Sequence, residues 1–211
     1  MTMRILQLPL GPLQTNCYVL ACTETSQAVV IDPSWDGRGI LAQVQKAGWT
    51  LEAIWLTHTH FDHVGALAEL KELTGAPIYV HPEAVPMLER ATAAGAMWGI
   101  PVDAAPPPDH LLVEGQELQV GELSAAVLYT PGHAPGHVCF HLAGEGVLFD
   151  GDVLFQGSIG RTDLPGGDYE LLMSSIREKL LPLPDETVVL SGHGPATTIG
   201  EERRSNPFLT E

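Results

Sequence analysis

Apolar residues along this chain alternate or cluster in short runs before they recur at helical spacing. Arg4 to Leu8, Asn16 to Ala21 and Ala28 to Ile31 are β-type runs, and Leu10-Gly11-Pro12 marks the first turn. They predict an N-terminal antiparallel meander. Asp32-Pro33 ends the third run, after which Ile40, Leu41, Val44 and Ala47 repeat at helical spacing until Gly48. Leu51 to Leu56 is the next strand. Ala66, Leu67, Leu70 and Leu73 make a second helix closed by Gly75, and Pro77 to Val80 is another strand. The pattern then predicts a helix from Pro82 to about Ala94 and an irregular segment from Gly95 to Pro108. Met97, Trp98 and Ile100 make that segment a candidate lid, although packing of a plain connection explains them equally well.

The second half repeats the order of strands first and a long helix late. Leu111 to Val113, Glu117 to Val120, Leu123 to Tyr129, Val138 to Leu142 and Val147 to Phe149 predict a second sheet. Tyr169 to Leu181 reads as a helix and Val188 to Leu190 as a short buried strand. A short terminal helix from Gly200 is stopped by Pro207. Two sheets with helices outside each give an α+β class, specifically a four-layer αββα sandwich. A length of 211 residues suits one domain, 1–211.

Composition narrows the setting. Hydrophobic residues at 45% and charged residues at 17% belong to a soluble globular protein, and the apolar runs fall well short of the ~20 residues that span a membrane. Met1-Thr2-Met3-Arg4-Ile5 has no signal-peptide pattern, so a cytoplasmic protein without membrane attachment is expected. Cys17, Cys22 and Cys139 form no C-x-x-C pair and read as small buried hydrophobes. Acidic residues outnumber basic ones 26 to 10, and a net charge of −16 repels phosphate backbones, so nucleic acid is not an expected partner. An anionic small substrate would need local cations to reverse that field.

Thr57-His58-Thr59-His60-Phe61-Asp62-His63-Val64-Gly65 carries the clearest chemistry. Three imidazoles and a carboxylate fall within six positions directly behind an apolar strand, and a catalytic metal needs such donors to converge while one position stays open to water. If the chain stays extended, His58, His60 and Asp62 point to one side and His63 approaches after a turn, so two metals could be served. The plainer alternative makes Asp62 only the N-cap of a helix from Val64 to Leu73, which explains one residue of the four. Three later turns each follow a strand with a metal-competent residue beside glycine: Thr130-Pro131-Gly132-His133, Phe149-Asp150-Gly151-Asp152 and Leu190-Ser191-Gly192-His193-Gly194. Strand alternation sends Asp150 and Asp152 to the same side, so geometry alone does not choose between them.

The ordered set T-H-T-H-F-D-H, T-P-G-H, G-D and G-H-G resembles the metallo-β-lactamase superfamily over nearly the whole chain. Asn16-Cys17-Tyr18, Ile31-Asp32-Pro33, Gly151-Asp152-Val153-Leu154-Phe155 and Gly157-Ser158-Ile159-Gly160-Arg161-Thr162-Asp163 are similar to the short bacterial branch of glyoxalase II, the hydroxyacylglutathione hydrolases. The resemblance implies His58, His60 and His133 on a first metal, Asp62, His63 and His193 on a second, and Asp152 as the bridge. Asp152 rather than Asp150 occupies the family's G-D position. Two divalent ions are implied, zinc first among them, with iron or manganese also compatible. The implied reaction is hydrolysis of a small acyl thioester by metal-bound hydroxide that Asp62 orients, with S-lactoylglutathione as the first substrate to try. The longer glyoxalase II enzymes continue into a helical region for glutathione, whereas this sequence ends at Glu211, which leaves the thiol portion open.

Rival expectations share parts of the pattern. Persulfide dioxygenases have the same ligands and the G-R-T-D segment but use one iron and oxygen; Phe61 favours the hydrolase, where their motif usually has alanine. Flavodiiron reductases replace the second histidine by glutamate, which His60 argues against, and the acidic surface disfavours nucleases. A non-enzymatic alternative is a metal-stabilised binding protein, although structural zinc sites are closed and seldom use two ions. Arg161 is a candidate contact for an anionic substrate, with an ion pair to Asp163 the favoured role. His137 is either a donor behind the ligands or a satisfied strand histidine.

Overall fold

The computed structural model describes residues 2–210 and divides into two compact units. The first holds the chain up to Leu112 together with Gln119–Leu123. Here β1 (Met3–Leu10), β2 (Thr15–Cys22) and β3 (Gln27–Ile31) form the expected antiparallel meander. α1 (Gly37–Lys46), β4 (Thr50–Trp55), α2 (Leu67–Thr74) and β5 (Ile78–Val80) follow, with β4 parallel to β3 and β5 parallel to β4. Helical crossovers make the parallel pairing possible. All eight residues of β2 are buried, because a strand covered on both faces has no solvent side on which to place polar residues. Val19, Ile54, Leu56, Leu67 and Ile78 are fully buried in this unit's core, and burial of each such side chain contributes about 1.5–3 kcal/mol.

Helix ends follow the local chemistry. Asp36 caps α1 by accepting from the Gly39 N–H, and α2 ends where Gly75 takes a left-handed conformation with φ 69°. The helix expected from Pro82 to Ala94 is instead a 3₁₀ turn at Pro82–Ala84, then α3 (Val85–Leu88), then α4 (Ala91–Met97). Pro82 and Pro86 lack the N–H of a helix interior, so the chain restarts its helix around each. The Arg90 N–H then bonds to Met87 O at 3.0 Å, closing α3 with a tight turn. α4 runs through Met97, so the irregular segment begins at Trp98 rather than Gly95.

One strand belongs to a different sheet than expected. Of the Leu111–Val113 run only Leu111 enters a strand, together with His110 as β6 (His110–Leu111), and it pairs in parallel with β5, completing a first sheet of order β1-β2-β3-β4-β5-β6. Asp109 anchors it by accepting from the Ile78 N–H at 2.8 Å while pairing with Lys71.

The second unit comprises Val113–Leu118 and the chain from Ser124. The second sheet's strands β7 (Glu117–Val120), β8 (Leu123–Tyr129), β9 (Val138–Leu142) and β10 (Val147–Gly151) lie in this unit apart from Gln119, Val120 and Leu123, and are those the pattern predicts, within two residues at each end. A small hairpin of β11 (Leu154–Phe155) and β12 (Ser158–Ile159) follows, too short for any periodicity to announce. α5 (Tyr169–Ser175) continues through a π-helical turn at Ile176–Leu180. Then come β13 (Val188–Ser191), β14 (Thr197–Thr198) and α6 (Ile199–Ser205). The sheet order is β14-β13-β10-β9-β8-β7, with β13 parallel to β10. Cys139, Leu148, Val153, Leu172, Ile176 and Val189 are fully buried in its core. Among the described residues no helix is long and apolar enough to cross a membrane.

Candidate metal centre

In the first unit, the ends of two adjacent parallel strands build the loop of candidate ligands. Ile31 pairs with Trp55, so Asp32 and the Leu56-Thr57 exit lie side by side. The Asp32 carboxylate is buried and accepts three hydrogen bonds: from the Thr57 N–H at 2.8 Å, the Thr57 hydroxyl at 2.6 Å and His63 Nδ1 at 3.0 Å. Because the Thr57 hydroxyl donates to Asp32, its oxygen is left to accept from His58 Nδ1, 3.0 Å away. Asp32 thereby sets the tautomer of His63 directly and of His58 through Thr57. Both rings then present Nε2 as the lone-pair nitrogen.

The rings of His58 and His63 lie 4.1 Å apart and those of His58 and His60 4.8 Å apart. The His63 N–H bonds to His60 O at 2.9 Å, a turn that brings Asp62 beside His63 with Oδ2 3.6 Å from Nε2. Thr15 holds that carboxylate by donating to Oδ2 at 2.8 Å. Asp62 is not a helix cap, because α2 starts after Ala66, four residues later.

In the second unit three separate strand ends contribute. After β8, Gly132 sits at φ 131° where an added Cβ would lie 2.2 Å from the Leu172 backbone nitrogen, so only glycine lets this turn pack on α5. The Pro131 carbonyl accepts from Ser175 Oγ at 2.7 Å, and the Gly132 carbonyl from the Asp168 N–H at 2.7 Å. His133 follows, its Nδ1 donating to Arg161 O at 2.8 Å and its Nε2 lying 3.5 Å from Asp152 Oδ2. His193, after β13, places Nε2 3.6 Å from the same oxygen.

Asp150 and Asp152 part company here. Asp150 is fully buried, accepts from the Leu154 N–H at 2.7 Å, and has its carboxyl pushed well above the usual range by that burial. Asp152 stands with the histidines. Its own N–H donates to His137 Nε2 at 3.1 Å, so His137 carries its proton on Nδ1, facing Thr130 Oγ1 at 3.0 Å. His137 thus works from behind as an acceptor.

The distances of 3.5–3.6 Å between these nitrogens and carboxylate oxygens suit a shared ion better than direct hydrogen bonds. Donors about 2.1 Å from one tetrahedral ion stand about 3.4 Å apart. Imidazole nitrogen with carboxylate oxygen is a donor set that zinc, iron and manganese all accept, and the residues fit a divalent metal.

The metallo-β-lactamase superfamily model matches residues 10–193. The chain belongs to the metallo-β-lactamase superfamily. It has that superfamily's α+β fold, which the sequence pattern anticipated. It is 42% identical over 209 residues to hydroxyacylglutathione hydrolase GloC of Haemophilus influenzae, covering 98% of each. Among solved structures it is similar to BLEG-1 B3 metallo-β-lactamase, with TM-score 0.92 and 47% identity over 99% of this chain and all of that one. It is also similar to TTHA1623 in a di-iron-bound form, with TM-score 0.90 and 46% identity over 97% of this chain and all of that one.

The sequence reading missed the groups that hold the candidate ligands: Asp32, Thr57, Thr15 and the Arg161 carbonyl. For Asp32 a signal existed, since an acidic residue closing an apolar run sits where parallel strands open toward a site. For the Arg161 carbonyl there was none, because a backbone acceptor has no residue type. The Arg161 side chain forms a bidentate pair with Asp163, at 2.7 and 2.8 Å, and the guanidinium holds the Asp163 carboxyl down at about 2.

Proposed function

We propose that the two units act as one metallo-β-lactamase-fold domain whose ligands serve a two-metal centre. His58, His60 and His133 would hold one ion, Asp62, His63 and His193 the other, and Asp152 would bridge them. The reaction is hydrolysis of a small acyl thioester. One observation carries the reading: His58, His63 and His133 each have Nδ1 turned to a protein acceptor, and Nε2 of both His133 and His193 lies just beyond hydrogen-bond range of one Asp152 oxygen. The similarity to a hydroxyacylglutathione hydrolase over 98% of both chains supports the thioester, and the di-iron form of a 46% identical protein supports two ions.

Two divalent ions bound here would lower the pKa of a shared water toward about 7 and polarise the acyl carbonyl. Asp62, held at Oδ2 by Thr15, orients the attacking water. A C–O bond forms, the C–S bond breaks, and the water's proton leaves with the carboxylic acid and thiol products. Asp32 keeps His58 and His63 from rotating, so the site does not reorganise as charge develops. Neither serine nor cysteine acts as a nucleophile in this scheme. Burial pushes the Cys17 thiol far up, which makes it inert. The Arg161 guanidinium, exposed beside Asp163, would meet an anionic thiol portion.

The deciding experiment is metal analysis of purified protein together with thiol release from S-lactoylglutathione and simple thioesters, with and without oxygen. Two ions per chain and equal rates in both atmospheres are expected. One ion per chain would refute the two-metal centre. Oxygen uptake with glutathione persulfide and no thiol release would establish the dioxygenase instead, and turnover of a β-lactam alone would reassign the substrate.

A further inference from the structure

α6 follows the stretch that matches the superfamily model, yet it carries a buried carboxylate with an ordered set of donors. Glu202 is 1% exposed. Its Oε1 accepts from the Thr197 hydroxyl at 2.5 Å, and its Oε2 accepts from the Gly157 N–H and from Asn206 Nδ2, each at 2.8 Å. A buried carboxylate is tolerated when charge-assisted hydrogen bonds replace its water, as these three do. Asn206, fully buried, also donates from Nδ2 to Ser158 O at 2.9 Å. Both side chains therefore grip the tip of the β11–β12 hairpin.

The base of that hairpin touches the candidate ligands. Gly160, the residue after β12, bonds through its N–H to Val153 O at 3.0 Å and packs so closely on Asp152 that an added Cβ would lie 1.9 Å from the Asp152 carbonyl oxygen. The next residue, Arg161, supplies the carbonyl that fixes His133. Ser191, two residues before His193, donates to Leu154 O at 2.7 Å, and the Phe155 ring meets the His193 ring edge-on at 6.5 Å. One hairpin thus borders all three ligands of the second unit.

We propose that Glu202 and Asn206 are positioning residues for the metal, acting through the β11–β12 hairpin to set His133, Asp152 and His193. This rests on the metal-centre reading above, but not on the reaction assigned to it. The pair acts on ligand geometry, so it changes metal affinity and coordination in protein that is fully folded.

The test compares Glu202→Met with Glu202→Gln, using cobalt(II) as the probe. In Glu202→Gln the amide oxygen can take the Oε2 place and keep Gly157 and Asn206, while the Thr197 hydroxyl turns to accept from the amide. In Glu202→Met the grip is lost. Affinity is read by competition with a chromophoric chelator, coordination by the visible cobalt spectrum, and folding by near-UV circular dichroism. Folded Glu202→Met should bind cobalt about tenfold or more weakly with an altered spectrum, and Glu202→Gln should stay within about twofold of the unmodified protein. Unmodified protein offers a second measurement that needs no variant to fold. Because coupling is reciprocal, metal binding should slow hydrogen exchange at the Gly157 amide. Wild-type affinity and spectrum in folded Glu202→Met, or Gly157 exchange indifferent to metal, would overturn the inference. Unmodified protein that takes up no cobalt would overturn the metal centre itself.

Discussion

The two units hold their candidate ligands by different means. In the first, four candidate ligands come from one loop and a single side chain, Asp32, orients two of the imidazoles. In the second, the candidate ligands come from three strand ends and are held largely through main-chain groups: Arg161 O fixes His133, the Asp152 N–H rests on the His137 ring, and Gly160 approaches closely. Side-chain positioning can be lost by one substitution at the positioning residue. Main-chain positioning is indifferent to the side chain of the residue that supplies it, and fails when the backbone path is shifted, whether by a blocking side chain or by loss of a group that holds the path, such as His137.

Asp152 is the proposed bridge between the two ions, so Asp152→Ala should have the largest effect. Loss of a bridging ligand is expected to exceed the about 10–100-fold cost of an outer-shell change, removing most bound metal and activity. Elemental analysis with a thioester assay checks this, and near-normal metal content would break the assignment. Next in size, Asp32→Ala should weaken metal binding about 10–100-fold, although Asp32 is not a ligand in this reading. Chelator competition measures it, and unchanged affinity would remove the contrast between the units.

Gly160→Ala attacks the main-chain arrangement. A Cβ 1.9 Å from Asp152 O forces the backbone apart, at a cost of about 1–3 kcal/mol in urea denaturation, and metal affinity should fall with it. Arg161→Ala should leave metal affinity unchanged, because only the Arg161 carbonyl touches His133. Any effect on KM would come from the exposed guanidinium, and a large loss of metal would show that the side chain matters after all.

The smallest effect is a pH dependence of the second unit. Burial holds the His141 imidazole below its ordinary value of 6.5. The unfolded chain therefore binds that proton more readily, so stability is fully present above about 6.5 and declines as pH falls through that value. In His141→Gln this part of the decline should vanish. Urea midpoints of the two proteins at pH 7.5 and pH 5.5 give the difference, and parallel pH profiles would contradict it.

Periodicity located most strands and helices because burial on one face imposes a period that any reader of the chain can see. It failed where partners decide. His110-Leu111 joined the first sheet because β5 lay beside it, and the two-residue strands of the hairpin exist through pairing alone. The proline-broken helix between Pro82 and Met97 was foreseeable from Pro86, whose missing N–H the apolar pattern does not register.

The sequence by itself determined which residues can be ligands. Histidine and aspartate beside glycine at strand ends carry their chemistry in their identity, and the family pattern orders them. Only the tertiary structure decided which carboxylate faces the histidines. Asp150 and Asp152 are separated by Gly151 alone, and a register shift in the β10–β13 pairing between Phe149 and Gly151, at Asp150, breaks the strand alternation there. The interior takes Asp150 and the site takes Asp152. Tertiary structure likewise decided that Asp32 serves His58 and His63, because a hydrogen bond across 31 residues of chain depends on two strands lying side by side, and no local pattern records that neighbour.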